Sequence, residues 1–228
     1  MPRLADERMF VRVLAGFSLI AAPLLLLLGN LIDPSVSDEA AKRLSEIADH
    51  EARYIVAGYL LLLGAWLFVP GLIGLWRLLG GTGVTLGQVG TGLMLIGVMT
   101  TIAFFGFGLY EYEAAQPGRD RAQMVRLADD VEKPAAVAIP LFIVFLVGMV
   151  IGSLIVAWSL WRRRIVPPWS PAAIVGGSIL NFFANGVALN AAASALLLVG
   201  FGWVGAKLLS MSAEEWDPLG CSAGALES

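Results

Sequence analysis

The chain has 228 residues, of which 58% are hydrophobic and 14% charged, and its mean hydropathy is +0.79. This composition is too apolar for an ordinary soluble domain and predicts an all-α, polytopic transmembrane helical bundle over residues 1–210 with a polar, disordered tail at 211–228. The net charge of −3 argues against nucleic-acid binding, and a single cysteine, Cys221, excludes an internal disulfide.

Uncharged stretches locate the predicted membrane spans, because a charge at the bilayer centre costs roughly 2.5 kcal/mol or more. Stretches of 20, 23, 33 and 28 uncharged residues follow Arg12, Arg53, Arg77 and Lys133. Each is as long as the roughly 20 residues that cross the hydrocarbon core. The first of them could be a signal peptide, but no small-residue cleavage site precedes Asp33, which favours an uncleaved anchor.

The last uncharged stretch contains 42 residues, between Arg164 and Lys207. One helix of that length would measure roughly 63 Å, which is too long for a single span. Asn185-Gly186 is a strong turn signal near its middle. We therefore expect two spans, at about 171–184 and 188–209, and six spans in total. Five spans, with one long or re-entrant last segment, is the alternative.

Two predicted outer loops carry small apolar residues at helical spacing among charges, at 35–50 and at 122–131. This pattern predicts short amphipathic helices in the outer loops, with solvated connectors as the alternative. Three arginines at 162–164 directly follow the fourth span, and basic residues flanking spans favour the cytoplasmic side. We thus expect a multi-pass plasma-membrane protein with both termini in the cytoplasm.

Few polar side chains fall within the spans. Asn181 and Asn185 are four residues apart and would share a helix face, where they could bind the polar group of a ligand or join helices. Thr100 is a further polar point near mid-membrane, and Glu111 closes the third span. These four residues are the predicted ligand-binding set.

A metal site is a poorer prediction. His50 is the only histidine, and it would lie on the same side of the membrane as Glu111 and Glu113. Zinc normally takes several nitrogen or sulfur ligands, so these three residues fit solvated interfacial charges better than a metal centre. We predict no metal, no cofactor and no catalytic residue.

Small residues predict close helix contacts. Gly148 and Gly152 form a GxxxG pattern, and Gly64 and Gly71 recur at a seven-residue interval. These faces could pack helices within the bundle, or they could bind a second copy or another membrane protein. Apart from such partners, we expect only the lipid bilayer to contact the chain.

Three functions are compatible with these features. The leading hypothesis is a non-catalytic protein, either an accessory subunit or a bundle that binds a lipid or another hydrophobic ligand. A small transporter or permease is the second, because Trp76-Arg77 and Trp161-Arg162 end two long spans alike and suggest a duplicated unit. A membrane enzyme is the third, and it would require His50, Glu111 and Glu113 to converge at the outer surface.

The order of several short segments resembles a family of small six-span membrane proteins frequent in actinobacteria. The resemblance implies six spans and a bacterial plasma membrane, and it implies no activity and no site residues. The segments that carry it are Asn30 with Asp33-Pro34, Ile47-Ala48-Asp49-His50, Pro70-Gly71-Leu72-Ile73-Gly74-Leu75-Trp76-Arg77, Trp161-Arg162 and Val166-Pro167-Pro168-Trp169.

Overall fold

The computed structural model describes residues 2–35, 37, 39–80, 85–132, 138–183 and 186–212. Within these ranges the regular elements are helices, and no strand occurs. They are α1 (Pro2–Ile32), α2 (Ala40–Asp49), α3 (Glu51–Leu78), α4 (Leu86–Ala115), α5 (Arg121–Glu132), α6 (Ala138–Leu146), a π-helical turn (Val147–Ile151), α7 (Gly152–Arg162), α8 (Trp169–Phe183) and α9 (Val187–Ser210).

Five helical segments are long and apolar enough to cross a membrane. They are Met9–Ile32, Glu51–Leu78, Leu86–Ala115, Ile139–Arg162 and Val187–Ser210. The prediction of an all-helical membrane bundle is confirmed at this level. The sixth span is not confirmed, because α8 has 15 residues and measures only about 22 Å, less than the length of a typical span.

Successive long helices pack antiparallel. Gly74 of α3 lies against Ala15 near the start of α1, whereas Gly29 near the end of α1 lies against Leu61. The same reversal relates α3 to α4, α4 to α7, α8 to α9 and α9 to α1. Because α7 also contacts α8, the six helices form a closed ring in the order α1, α3, α4, α7, α8, α9.

The ring has two chemically different ends. We call one the basic end, where the Arg12 side chain donates to the Met211 carbonyl oxygen and Arg163 donates to the carbonyl oxygens of Leu78 and Gly80. We call the other the cap end, where α2 and α5 pack against the end of α4.

The apolar core is concentrated towards the basic end. It takes side chains from all six ring helices, and Phe68 of α3 meets Phe201 of α9 edge-to-face with ring centroids 5.4 Å apart. These two rings are 3% and 1% exposed, so the middle of the bundle is filled at this level. Towards the cap end, Leu109 and Ile143 are largely exposed.

The predicted small-residue positions lie at helix contacts within the chain. A Cβ atom added to Gly148 would lie 2.6 Å from the Cα of Gly97 in α4, and one added to Gly152 would lie 2.9 Å from the backbone of Met94. Gly64 and Gly71 similarly pack against α1. These four glycines therefore pack the ring itself, and a partner chain remains a separate prediction.

Candidate functional site

The predicted mid-membrane ligand set does not form one cluster among the described residues. The hydroxyl of Thr100 donates to the carbonyl oxygen of Ile96, at 2.9 Å within its own helix. Asn181 is half-buried in α8 and makes no hydrogen bond to a described residue, and Asn185 lies outside the described residues. A part-buried hydrogen bond instead joins α1 to α9, from the side-chain amide of Asn30 to the hydroxyl of Ser194 at 2.8 Å.

Glu111 belongs to a polar cluster at the cap end. Its carboxylate accepts a hydrogen bond from Nε of Arg43 in α2 at 2.9 Å, and the two side chains are 24% and 11% exposed. A second nitrogen of Arg43 donates to the carbonyl oxygen of Ser37. Leu44 and Ile47, on the same helix, are buried against the end of α4. Charge and apolar contact together fasten α2 to α4.

Tyrosines extend this cluster between α3 and α4. The Tyr54 hydroxyl donates to the Gly108 carbonyl oxygen at 3.0 Å, and the Tyr112 hydroxyl donates to the Glu51 carboxylate at 2.5 Å. The rings of Tyr54 and Tyr112 are parallel, with centroids 6.5 Å apart. Each of these groups bonds to a neighbouring helix. The cluster therefore holds the helices together at the cap end, and few of its polar groups remain to bind a ligand.

The three candidate metal ligands do not lie together. Glu113 pairs with Arg119 at 3.4 Å on the surface, while Glu111 faces Arg43 and His50 is an exposed residue between α2 and α3. In the part of the chain that the structure describes, no three His, Cys, Asp or Glu side chains are placed to hold a metal ion.

A lateral groove runs between α7 and α8 on the outer surface of the ring. It is an open depression with a volume of about 570 Å³. Leu154, Ala157, Trp158 and Trp161 form the α7 wall, while Pro168, Pro171, Ala172, Val175 and Gly176 form the other. The lining is thus apolar and aromatic.

The two walls of the groove differ in the size of their side chains. Gly176 on the α8 side has no side chain. A Cβ atom added at Gly176 would meet only the end of Leu196, at 3.8 Å. On the opposite wall the rings of Trp158 and Trp161 lie 5.1 Å apart, and each is 52% exposed. The groove therefore presents aromatic surface to whatever surrounds the bundle.

Three consecutive arginines lie at the basic end of this groove, between Trp161 and Pro168. Arg163 is engaged with the carbonyl oxygens at the end of α3, at 3.1 Å from Gly80. Arg162 and Arg164 are exposed and make no ion pair or side-chain hydrogen bond within the described residues. The groove thus joins an apolar wall to two exposed cations.

Sequence reasoning identified Trp161 and the three arginines only as markers of a membrane interface. It did not identify the groove, because nothing in one sequence shows that α7 and α8 stand apart along these faces. The available signal was Trp158 and Trp161 at helical spacing, followed after a short connection by Trp169.

Comparisons with protein-family models, with curated proteins and with solved structures gave no match. The function therefore has to be argued from the geometry of this chain. The resemblance in short segments to a six-span actinobacterial family remains a prediction.

Proposed function

We propose that this protein is a non-catalytic membrane protein that binds a lipid or a similar hydrophobic ligand. The observation that carries the proposal is the lateral groove between α7 and α8, with exposed tryptophan rings on one wall and a glycine on the other. Apolar pockets with an aromatic wall favour ligands that are themselves apolar.

The position of the groove fits a ligand that arrives from the bilayer. Its walls belong to α7, within one of the five candidate spans, and to α8, the helix packed beside it. A ligand could enter sideways from the hydrocarbon region without passing through the filled core. The lining offers no carboxylate, histidine or hydroxyl, so binding suits it better than catalysis.

The packing of side chains inside the ring gives less support to a transporter. A substrate path along the axis of the ring would meet Phe68 and Phe201, which fill the bundle towards the basic end. An enzyme at the outer surface has less support still, since Glu111 and Glu113 face different arginines.

The test is lipid retention by the purified full-length chain. Gly176→Leu adds a side chain at a residue that lines the groove, and the Cβ atom itself is tolerated there. Gly202→Leu is the matched control, because its Cβ meets only Leu198, at 3.7 Å, outside the groove. Native mass spectrometry from mild detergent should show a co-purifying lipid on the wild type and on Gly202→Leu, and loss of it from Gly176→Leu. Equal retention by all three would contradict the proposal.

We also propose a topology. α8 leaves the basic end beside α7 and packs antiparallel to α9, whose first turns lie near the cap end. This path supports α8 as a short sixth crossing. The arginines at the basic end then favour that end as cytoplasmic, in a bacterial plasma membrane, with both termini inside.

An accessory role remains a separate prediction. The small-residue faces at Gly64, Gly71, Gly148 and Gly152 are occupied within the chain, so a second copy or another membrane protein would have to use a different face.

A further inference from the structure

We infer that the groove between α7 and α8 takes an anionic phospholipid of the surrounding bilayer, with its phosphate held by Arg162 and Arg164. The inference rests on the proposed lipid-binding function and names the class of lipid. It follows from two exposed arginines that lie in the chain between Trp161 and Pro168, both of which line the groove.

The chain order places Arg162 and Arg164 next to the groove. Trp161 and Pro168 both line the groove, and between them Arg162 ends α7 while Arg164 lies in the connection that follows. Arg162 also follows Trp158 by four residues, so the two share a face of α7. The cations therefore lie where a headgroup would lie if its acyl chain followed the tryptophan wall.

The three neighbouring arginines divide into two roles. Arg163 donates to carbonyl oxygens at the end of α3 and so ties that helix to the turn after α7. Arg162 and Arg164 keep their donors exposed to solvent or headgroups. A guanidinium offers paired N–H donors that match phosphate oxygens, so these two side chains suit a phosphate better than a neutral headgroup.

The apolar part of the groove has the length for the upper portion of an acyl chain. From Trp161 to Leu154 the α7 wall rises by seven residues, or about 10 Å along the helix. The α8 wall runs over a similar depth, from Pro168 to Gly176. A lipid seated here would have its phosphate at the basic end and its first methylene groups against Trp158 and Val175.

Further basic residues agree with this occupant. Arg12, Arg77 and Lys207 are at the same end of the ring and favour an anionic headgroup. Basic residues close to a membrane surface enrich anionic lipids, and added salt screens the attraction. Selectivity for an anionic headgroup should therefore depend on salt, whereas retention of the chains should not.

The experiment presents two lipids with identical acyl chains. Purified full-length protein is incubated in detergent with equimolar phosphatidylglycerol and phosphatidylcholine, and bound lipid is counted by native mass spectrometry. The wild type should prefer phosphatidylglycerol by roughly tenfold. Arg162→Gln/Arg164→Gln should still retain lipid with a ratio near one. Lys207→Gln removes a charge at the same end but outside the groove, and should lower the ratio far less than the double variant does.

The possible results distinguish selectivity for an anionic headgroup from lipid binding itself. A wild-type ratio near one, an unchanged ratio in the double variant, or a ratio insensitive to salt would overturn the anionic headgroup. If Gly176→Leu still displaced the lipid in that case, the groove would remain a lipid site of another selectivity. If Gly176→Leu displaced nothing, the lipid-binding function itself would fall.

Discussion

The pair between Arg43 and Glu111 joins residues that are 68 positions apart in the chain. Both side chains are largely withdrawn from solvent, so their mutual attraction is screened less than that of an exposed pair. Removing one partner leaves the second poorly solvated, and buried pairs that lose one member typically cost more than exposed ones. The pair is therefore the main polar attachment of α2 to α4.

We predict that Arg43→Gln weakens the docking of α2 by about 1–3 kcal/mol. Hydrogen exchange of the amides of α2 should become roughly tenfold faster or more, while exchange in α9 stays unchanged. Lys42→Gln is the control on the same helix, because Lys42 is exposed and lies 3.9 Å from Glu46.

The swapped pair Arg43→Glu/Glu111→Arg should recover part of the lost protection. Equal exchange rates in Arg43→Gln and Lys42→Gln would show that the pair does not hold α2. The sequence placed Glu111 at a membrane edge but gave no indication of Arg43 as its partner. Contacts between residues so far apart depend on how the helices pack.

Among the helix elements, α4 and the π-helical turn make a close backbone contact. Gly97 and Gly148 meet there with no side chain between their backbones. A π-helical turn inserts an extra residue into the helix, and Gly148 lies within it. This turn was not predicted from the sequence, because the apolar run through it has no distinguishing residue pattern.

We predict that Gly148→Ala destabilises the protein by about 1–3 kcal/mol, because the added methyl group overpacks the α4 backbone. Gly106→Ala is the matched control, since a Cβ atom there meets nothing within 4 Å. The control should be neutral or stabilising by up to about 1 kcal/mol, as expected for glycine to alanine in a helix. Thermal unfolding in detergent measures both, and equal midpoints would contradict the packing argument.

Most long helices could be predicted from the spacing of charges, whereas their ends could not. α1 begins at Pro2, before Arg12. Its first turns contain charged residues, so the uncharged stretch that predicted the span did not include them. α8 begins at Trp169, two residues before the predicted start, because Pro171 is accommodated in a first helical turn. The Asn185-Gly186 turn signal falls between α8 and α9, with Gly186 at a φ of +92°.

At the scale of the whole molecule, the closed ring places the charged elements at two ends. Arg12, Arg77 and Arg163 lie at one end, and the α2–α5 cap lies at the other. From the sequence, the grouping of these charged residues at two ends followed only from the predicted number of spans. The structure brings the same residues together through direct contacts between helix ends.

We predict that the cap end and the turn before α9 face away from the cytoplasm. In a Cys221→Ser background, Ser45→Cys in α2 and Ala188→Cys at the start of α9 should react with a membrane-impermeant maleimide in intact cells. Native Cys221 should react only after lysis. Labelling of Cys221 in intact cells would contradict this topology, because Met211 lies beside Arg12 at the basic end.

The groove between α7 and α8 is the feature on which the functional account depends, and photochemical cross-linking tests it most directly. A phosphatidylglycerol with a photoactivatable group near the top of one acyl chain would be reconstituted with the full-length chain. After irradiation, peptide mass spectrometry should place the adducts mainly within 154–161 and 168–176. Gly176→Leu should remove them, and Gly202→Leu should leave them in place. Adducts spread evenly over all bilayer-facing helices, or unchanged in Gly176→Leu, would contradict the account.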